Sequence, residues 1–576
     1  MSAHDLSGPL ICADSGSSAL FGEGGCAPPQ PIPTTHNASP PGFPRGLLAR
    51  WLIQFVRPRG KARGRLFHSG FSALTPTGRK YQSNCVAFVF RLLGPWRTFF
   101  RKSCAERGQM MNQGSNLREL GRKLANDKSL VLLAGVILPN ALAVGAELFY
   151  VGLPPRTLAI VLYGCIAALS GRVRPALLVA AYIAVLAFDT ISSIAAAFYI
   201  AQIDLVGYLH LGSNINIFAS PLYTALAAGF LMLIAANVAS IARLRTHAGR
   251  GALALLAIGT VITAGWDRIA NASPHYDFGP SASAGVPFES AVQQSGFIKL
   301  ASAQPTKGRH VLLVLVESLG VLVDPSLRDL VSAPLRDAEL RERYDLTEGR
   351  TVFFGSTSYG EMRELCQTRE SYKAVIEGDD PVCLPDLFDQ QGYRTVSVHG
   401  FNHAFYDRTK WYPKIGFARS IFMENLQTPV RRWCGGPFVG PCDVDLATGI
   451  GERLATAKQP QFIYWLTLNT HVPVRVGQAT PRFRCKEQGG AFHDIEVCSM
   501  AELWADLFQA VAKLAKEHPD LEVLMVGDHA PPLWRRSARA MFEPGLVPWF
   551  RLTPRRTEAE EDVMSGAVSS LLRPTR

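Results

Sequence analysis

The chain has 576 residues, enough for more than one domain, and a formal charge of +12. The basic excess is local: residues 1–128 hold 18 Lys/Arg against 6 Asp/Glu, and the rest balances. With no basic-aromatic patch or zinc-finger spacing elsewhere, this distribution argues against nucleic acid as a partner.

Residues 1–109 are rich in Gly, Pro, Ser and Arg, with seven prolines between Pro28 and Pro44. Weak apolar periodicity there predicts disorder, and no apolar core at the start marks a secretory signal. Met110 or Met111 makes sense as an authentic start, with Arg118, Arg122, Lys123 and Lys128 ahead of the first apolar span. Residues 1–128 are therefore read as a disordered or non-native extension plus a cytoplasmic basic segment.

Five apolar stretches follow: Leu130 to Leu153, Leu158 to Leu169, Ala176 to Ile203, Ile217 to Ile241, and Ala252 to Trp266. The first, third and fourth reach the roughly 20 residues that a membrane-spanning helix needs; the second and fifth are short. Together they predict a five-helix transmembrane bundle over residues 129–267. Arg172 and Arg174 follow the second stretch, and Arg243, Arg245 and Arg250 follow the fourth. The intervening loops are nearly free of basic residues, so the N-terminus is expected in the cytoplasm and everything after Trp266 outside it. Asp189, in the middle of the third stretch, reads either as a polar contact for a headgroup or neighbouring helix, or as a locally hydrogen-bonded or protonated carboxyl. Residues 268–304 read as a Ser/Gly/Pro-rich linker with no large core.

From about residue 305 short apolar strands alternate with helical stretches, which predicts an α/β domain, residues 305–576, with a largely parallel central sheet flanked by helices. Its six cysteines are compatible with three disulfides in an oxidising compartment. Connectivity does not follow from sequence; proximity pairs Cys366–Cys383, Cys434–Cys442 and Cys485–Cys498, and reduced buried thiols are the alternative.

The functional signal lies at the strand ends. Val311 to Val316 is all valine and leucine, a strand covered on both faces, and it ends on Glu317. Val352 to Phe354 leads to G-S-T-S-Y-G-E, residues 355–361. Arg394 to Val398 leads to His399, Phe462 to Leu468 leads to N-T-H ending at His471, and Leu521 to Val526 leads to Gly527, Asp528 and His529. Ligands bind outside the carboxyl ends of strands in open α/β sheets. Glu317, Asp528 and His529 form a ligand set suited to Zn2+ or Mn2+. Thr357 or Ser358, opening a helical stretch, can supply a hydroxyl nucleophile activated by the ion. His399 and His471 can hold a phosphate or donate a proton to a leaving oxygen.

These residues resemble the alkaline phosphatase/sulfatase superfamily, and within it the membrane-anchored phosphoethanolamine and phosphoglycerol transferases such as lipoteichoic acid synthase. The resemblance covers roughly residues 305–553. V-E-S-L-G resembles the first metal-ligand strand, which implies Glu317. G-S-T-S-Y-G-E resembles the nucleophile motif, which implies Thr357 as nucleophile and metal ligand, with Ser358 as rival because the following Met362-Arg363-Glu364-Leu365-Cys366 departs from the phosphoglycerol branch. G-D-H-A-P-P implies Asp528 and His529 as ligands, and L-N-T-H-V-P implies His471 as a substrate histidine. Residues 398–417 resemble the headgroup-binding segment, which implies His399, Tyr406 and Arg408 as substrate-binding residues. The implied activity is a metal-dependent transferase at a cell inner membrane, catalytic domain outside the cytoplasm. It would move phosphoethanolamine or phosphoglycerol from a membrane phospholipid to an envelope glycan or lipid through a phospho-threonine. A sulfatase or phosphodiesterase on the same fold is the second reading. Against it stand the lone carboxylate at Glu317-Ser318 and the absence around Thr357 of a Cys/Ser-x-Pro-x-Arg motif; Cys383-Leu384-Pro385-Asp386 has the proline but not the arginine. A non-catalytic sensor or scaffold is the third.

Overall fold

Val311–Val316 forms strand β1, and all six side chains are buried because both faces of the strand are covered. The computed structural model describes residues 127–148, 150–207, 221–244, 249–280, 287–302, 309–427, 430–485 and 490–555. The expected extension falls on residues that lie outside this set, except for its last two.

The further strands are β2 (Tyr344–Val352), β3 (Arg394–His399), β4 (Arg419–Ile421), β5 (Trp433–Cys434), β6 (Gly440–Pro441), β7 (Gln461–Leu466), β8 (Glu522–Gly527) and β9 (Leu546–Pro554). Seven of them make one sheet in the order β2-β9-β8-β1-β7-β3-β4. Five, β8 to β4 in that order, run parallel. Alternate β1 side chains enter different cores: Leu312, Val314 and Val316 pack with the helix Ile495–Glu517, and Val311, Leu313 and Leu315 with the helix Thr357–Cys366.

One expected element is corrected. Val352 to Phe354 is not a strand of its own. Val352 ends the nine-residue β2, which pairs antiparallel with β9 at the edge of the sheet. Much of β2 is exposed and polar, so only its apolar tail stands out in the sequence. The short edge strand β4 was likewise not anticipated.

Among the described residues, four helices are long and apolar enough to cross a membrane: Leu130–Glu147, Pro175–Ala197, Tyr223–Arg243 and Arg250–Ala270. The first contains a π-helical turn, Leu133–Ile137. The fifth stretch is thus longer than expected, and the second is a helix of only 12 residues, Thr157–Ala168. At 1.5 Å per residue that helix covers about 18 Å, short of a hydrocarbon core of about 30 Å. Its entry is polar. Arg156 makes a bidentate pair with Asp189, at 2.9 and 2.5 Å, and Tyr163 Oη donates to the same carboxylate at 3.0 Å. The mid-span aspartate is therefore the partner of a neighbouring helix, and the lone arginine of the first loop is the other half of that pair.

The apolar helices and the α/β domain belong to one compact unit, Met110–Arg576. Gly152 N donates to Trp534 O at 2.6 Å, Arg536 N to Tyr150 O at 3.1 Å, and the Arg536 guanidinium to Asn271 at 2.7 Å. Part of the expected linker also packs into the domain: Ala291, Val292 and Phe297 are fully buried. Glu364 accepts from the amides of Ala291 and Val292 and holds them against the core. All three disulfides pair sequence neighbours, Cys366–Cys383, Cys434–Cys442 and Cys485–Cys498.

Candidate active site

The carboxyl ends of β1 and β8 are adjacent, which brings Glu317 beside Asp528 and His529. All three are buried, and one ligand atom from each lies within 4.8 Å of the others. His529 Nδ1 meets Ala530 O at 2.9 Å. A carbonyl only accepts, so Nδ1 carries the hydrogen and Nε2 presents its lone pair, the tautomer a metal requires. Asp528 Oδ1 accepts from the amides of Ser318 and His529, at 2.7 and 2.6 Å, while Oδ2 is buried without a hydrogen-bond partner. Burial and the neighbouring Asp528 charge push the Glu317 carboxyl well above its ordinary range. Two buried carboxylates, an orphaned oxygen and an imidazole lone pair fit a divalent cation such as Zn2+ or Mn2+.

Thr357 opens the helix Thr357–Cys366, where helix geometry favours negative charge. Its Oγ1 donates to Glu317 Oε2 at 3.2 Å and lies 3.4 Å from His529 Nε2. Gly360 lets this helix approach: a Cβ there would meet Asp528 atoms at 3.0 to 3.2 Å. Ser358 does not share the position. Its Oγ is buried without a hydrogen-bond partner, and the residue does not line the cavity into which Thr357 opens.

That cavity, about 430 Å³, also brings together His399, Tyr406, Arg408 and His471. Nδ1 of His399 meets Leu466 O at 3.0 Å and Nδ1 of His471 meets Val472 O at 2.9 Å, so both imidazoles keep Nε2 as the free acceptor when neutral. Burial, then the Arg408 charge, hold His399 well below its ordinary value, and burial takes His471 down to about 4. Both are therefore neutral at neutral pH. Burial pushes the Tyr406 phenol up to about 12, so it stays a hydrogen-bond donor.

Several residues that sequence reasoning passed over hold this arrangement. Glu361 is fully buried and clamps Arg408, with its closest contact 2.8 Å, while the hydroxyls of Tyr412 and Tyr464 donate to the same carboxylate. Arg363 donates to the carbonyls of Gly527 and Asp528, at 2.7 and 3.1 Å, bracing the chain before His529. Thr467 and Thr470 bind the Glu317 backbone, at 2.9 and 2.5 Å. Asp443 accepts from the amides of Leu468 and Asn469 and fixes the turn before His471. Glu361 closes the recognised motif and Arg363 stands in the segment after it; the only signal was three charged residues, Glu361, Arg363 and Glu364, on a helix whose other side chains face inward.

Part of the remaining wall comes from the apolar helices and the segments beside them. Ile194 and Phe198 at the end of the third apolar stretch, Ile200, Leu205, and Tyr223 line the same cavity.

The sequence model of the Sulfatase family matches residues 349–559. Among solved structures, the lipoteichoic acid synthase LtaP from Listeria monocytogenes aligns at 18% identity and a TM-score of 0.34, over 44% of this chain and 67% of that one. The Streptococcus pyogenes phosphoglycerol transferase GacH, in complex with sn-glycerol-1-phosphate, aligns at 17% and 0.33, over 45% and 72%. The C-terminal periplasmic domain of EptC from Escherichia coli, in complex with Zn, aligns at 15% and 0.32, over 45% and 76%. No curated protein matches the chain.

Proposed function

We propose that this chain, whose residues 349–559 are a sulfatase-family domain acting on phosphate or sulfate esters, is a membrane-anchored transferase. It moves phosphoethanolamine or phosphoglycerol from a membrane phospholipid to an envelope glycan or lipid. It sits in a cell inner membrane with its catalytic domain on the periplasmic side. The observation that carries the reading is the shared cavity: Thr357 and the candidate ligands Glu317 and His529 open into a space whose other wall is made by side chains of the apolar helices. A soluble ester needs no such wall, whereas a lipid whose headgroup reaches Thr357 does.

Glu317, Thr357, Asp528 and His529 would hold the divalent ion, which when bound neutralises charge on phosphoryl oxygens and lowers the pKa of the hydroxyl. Thr357 Oγ1 gives its proton to a free imidazole Nε2 of His399 or His471 as it attacks the lipid phosphodiester, the bond to the diacylglycerol oxygen breaks, that oxygen takes the proton, and a phospho-threonine is left. Arg408, Tyr406 and the two neutral histidines surround the phosphoryl group and its substituent. In the second half, an acceptor hydroxyl gives its proton to a free imidazole Nε2 of His399 or His471 as it attacks phosphorus, and that proton returns to the departing Thr357 oxygen.

The hydrolase alternative of the formylglycine type finds little support: Cys383 is bonded to Cys366, and neither it nor Ser332, which opens the sequence Ser-Ala-Pro-Leu-Arg, lines the cavity that Thr357 lines. Intact-mass analysis of the purified full chain after incubation with phosphatidylethanolamine or phosphatidylglycerol tests the proposal. An adduct on Thr357 is expected, and its mass names the group. Hydrolysis without any adduct would move the assignment to a hydrolase.

A further inference from the structure

The chain that leaves the third apolar helix does not merely cross the outer face of the bundle. It enters the external domain and is pinned there at two points. Arg539 contacts Tyr199 Oη and Ala197 O, each at 3.4 Å. Tyr199 is 1% exposed, and its ring centroid lies 5.0 Å from Phe353 and 5.8 Å from the candidate ligand His529. Its backbone is in the left-handed region, φ 58°, a conformation that a tyrosine keeps only when the surroundings impose it. Beyond it, the short helix Gln202–Gly207 carries Asp204, 6% exposed, whose carboxylate accepts from Tyr359 Oη and pairs with Lys373 Nζ, both at 2.8 Å.

Tyr359 stands two residues after Thr357. Its side chain lies over Gly355, where the chain turns with φ 77° and where a Cβ would meet Tyr359 side-chain atoms at 2.6 to 2.7 Å. The ring thus covers the turn that sets Thr357, and the phenol oxygen is tied to a residue of the membrane domain.

We infer that Asp204 is a positioning residue: through Tyr359 it holds the turn 355–357 so that Thr357 Oγ1 faces Glu317 and His529. The membrane domain is then part of the catalytic arrangement as well as an anchor. The inference rests on Thr357 as the nucleophile. A hydrogen bond to a charged acceptor accounts for roughly a ten- to hundredfold effect if it is realised mainly in the reacting geometry.

The test uses the full chain in detergent with added Zn2+ or Mn2+, and the variants Asp204→Ala, Asp204→Asn, Tyr359→Phe and Lys373→Met. Turnover of phosphatidylethanolamine, phosphatidylglycerol and the soluble diester bis(p-nitrophenyl) phosphate is measured as kcat and KM. Asp204→Ala and Tyr359→Phe are expected to lower kcat roughly ten- to hundredfold on the substrate that turns over, with KM for the soluble diester and metal content unchanged. The double variant should be no worse than either single one. Asp204→Asn, whose amide oxygen still accepts from the phenol, should recover much of the loss, and Lys373→Met should stay close to the parent. Tyr359→Phe removes one oxygen and guards against misfolding of the alanine variant. Parent-like kcat in Asp204→Ala and Tyr359→Phe, or additive losses, would overturn the inference. Hydrogen exchange of amides 355–362 decides separately from the reaction: faster exchange in both variants supports the latch, and unchanged exchange refutes it. A parent chain that forms no adduct on Thr357 would count against the proposed function alone, and the exchange measurement would still judge the contact.

Discussion

Glu361→Ala tests the buried support of the substrate pocket. Glu361 is 0% and Arg408 1% exposed, and the carboxylate takes contacts from Arg408 Nε at 3.3 and 3.2 Å and from Nη2 at 2.8 Å. Removing it leaves a guanidinium charge in a dry site and takes the acceptor from the Tyr412 and Tyr464 hydroxyls. Breaking a buried pair from one side costs about 3–5 kcal/mol. For a domain of this size each kcal/mol moves the melting temperature by about 2–4 °C, so a fall of roughly 6–20 °C is expected. The assay is intrinsic-fluorescence melting of the detergent-solubilised full chain. Arg408→Met placed on top of Glu361→Ala should recover most of the loss, since no buried charge then remains. The recovered double variant should still be inactive, because Arg408 lines the cavity. Melting of Glu361→Ala within about 2 °C of the parent, or losses that simply add in the double variant, would refute the reasoning.

Thr357→Ala should abolish the covalent adduct and lower kcat roughly a thousandfold or more, whereas Ser358→Ala, which removes a buried hydroxyl with no partner, should leave the adduct in place and stability within about 1 kcal/mol. Glu317→Gln and Asp528→Asn should each weaken metal retention at least roughly a hundredfold, read by elemental mass spectrometry after dialysis, and chelation should inactivate the parent reversibly. The His471 imidazole is held to about 4, below the roughly 6.5 of an unfolded chain, so the unfolded state takes up its proton first on acidification. The stability this group contributes is complete above about pH 6.5 and is lost as pH falls towards about 4, and His471→Gln should flatten melting temperature against pH across that window.

The ends of the parallel strands are readable because their signal is local. An unbroken valine-leucine run such as Val311 to Val316 can only be a doubly covered strand, and the residue after its last valine must stand at the sheet's rim. Hence Glu317, His399, His471 and the Asp528-His529 pair are legible without any tertiary contact. The three disulfides agree with pairing by proximity, which the sequence suggests without fixing, since short loops leave these cysteines within reach. Edge strands give less away: β2 is largely polar and pairs with β9, some two hundred residues downstream, and that pairing has no periodic signature.

The sequence by itself therefore determined which residue types stand at the rim, because residue type and strand period are properties of neighbouring positions. Only the tertiary structure brought Thr357 rather than Ser358 next to Glu317 and His529, because successive helical residues point about 100° apart and the helix must first be docked. It alone paired Glu361 with Arg408, Arg156 with Asp189, and Asp204 with Tyr359. The last two partners are 155 positions apart, and their contact depends on how separate helices pack rather than on any pattern along the chain.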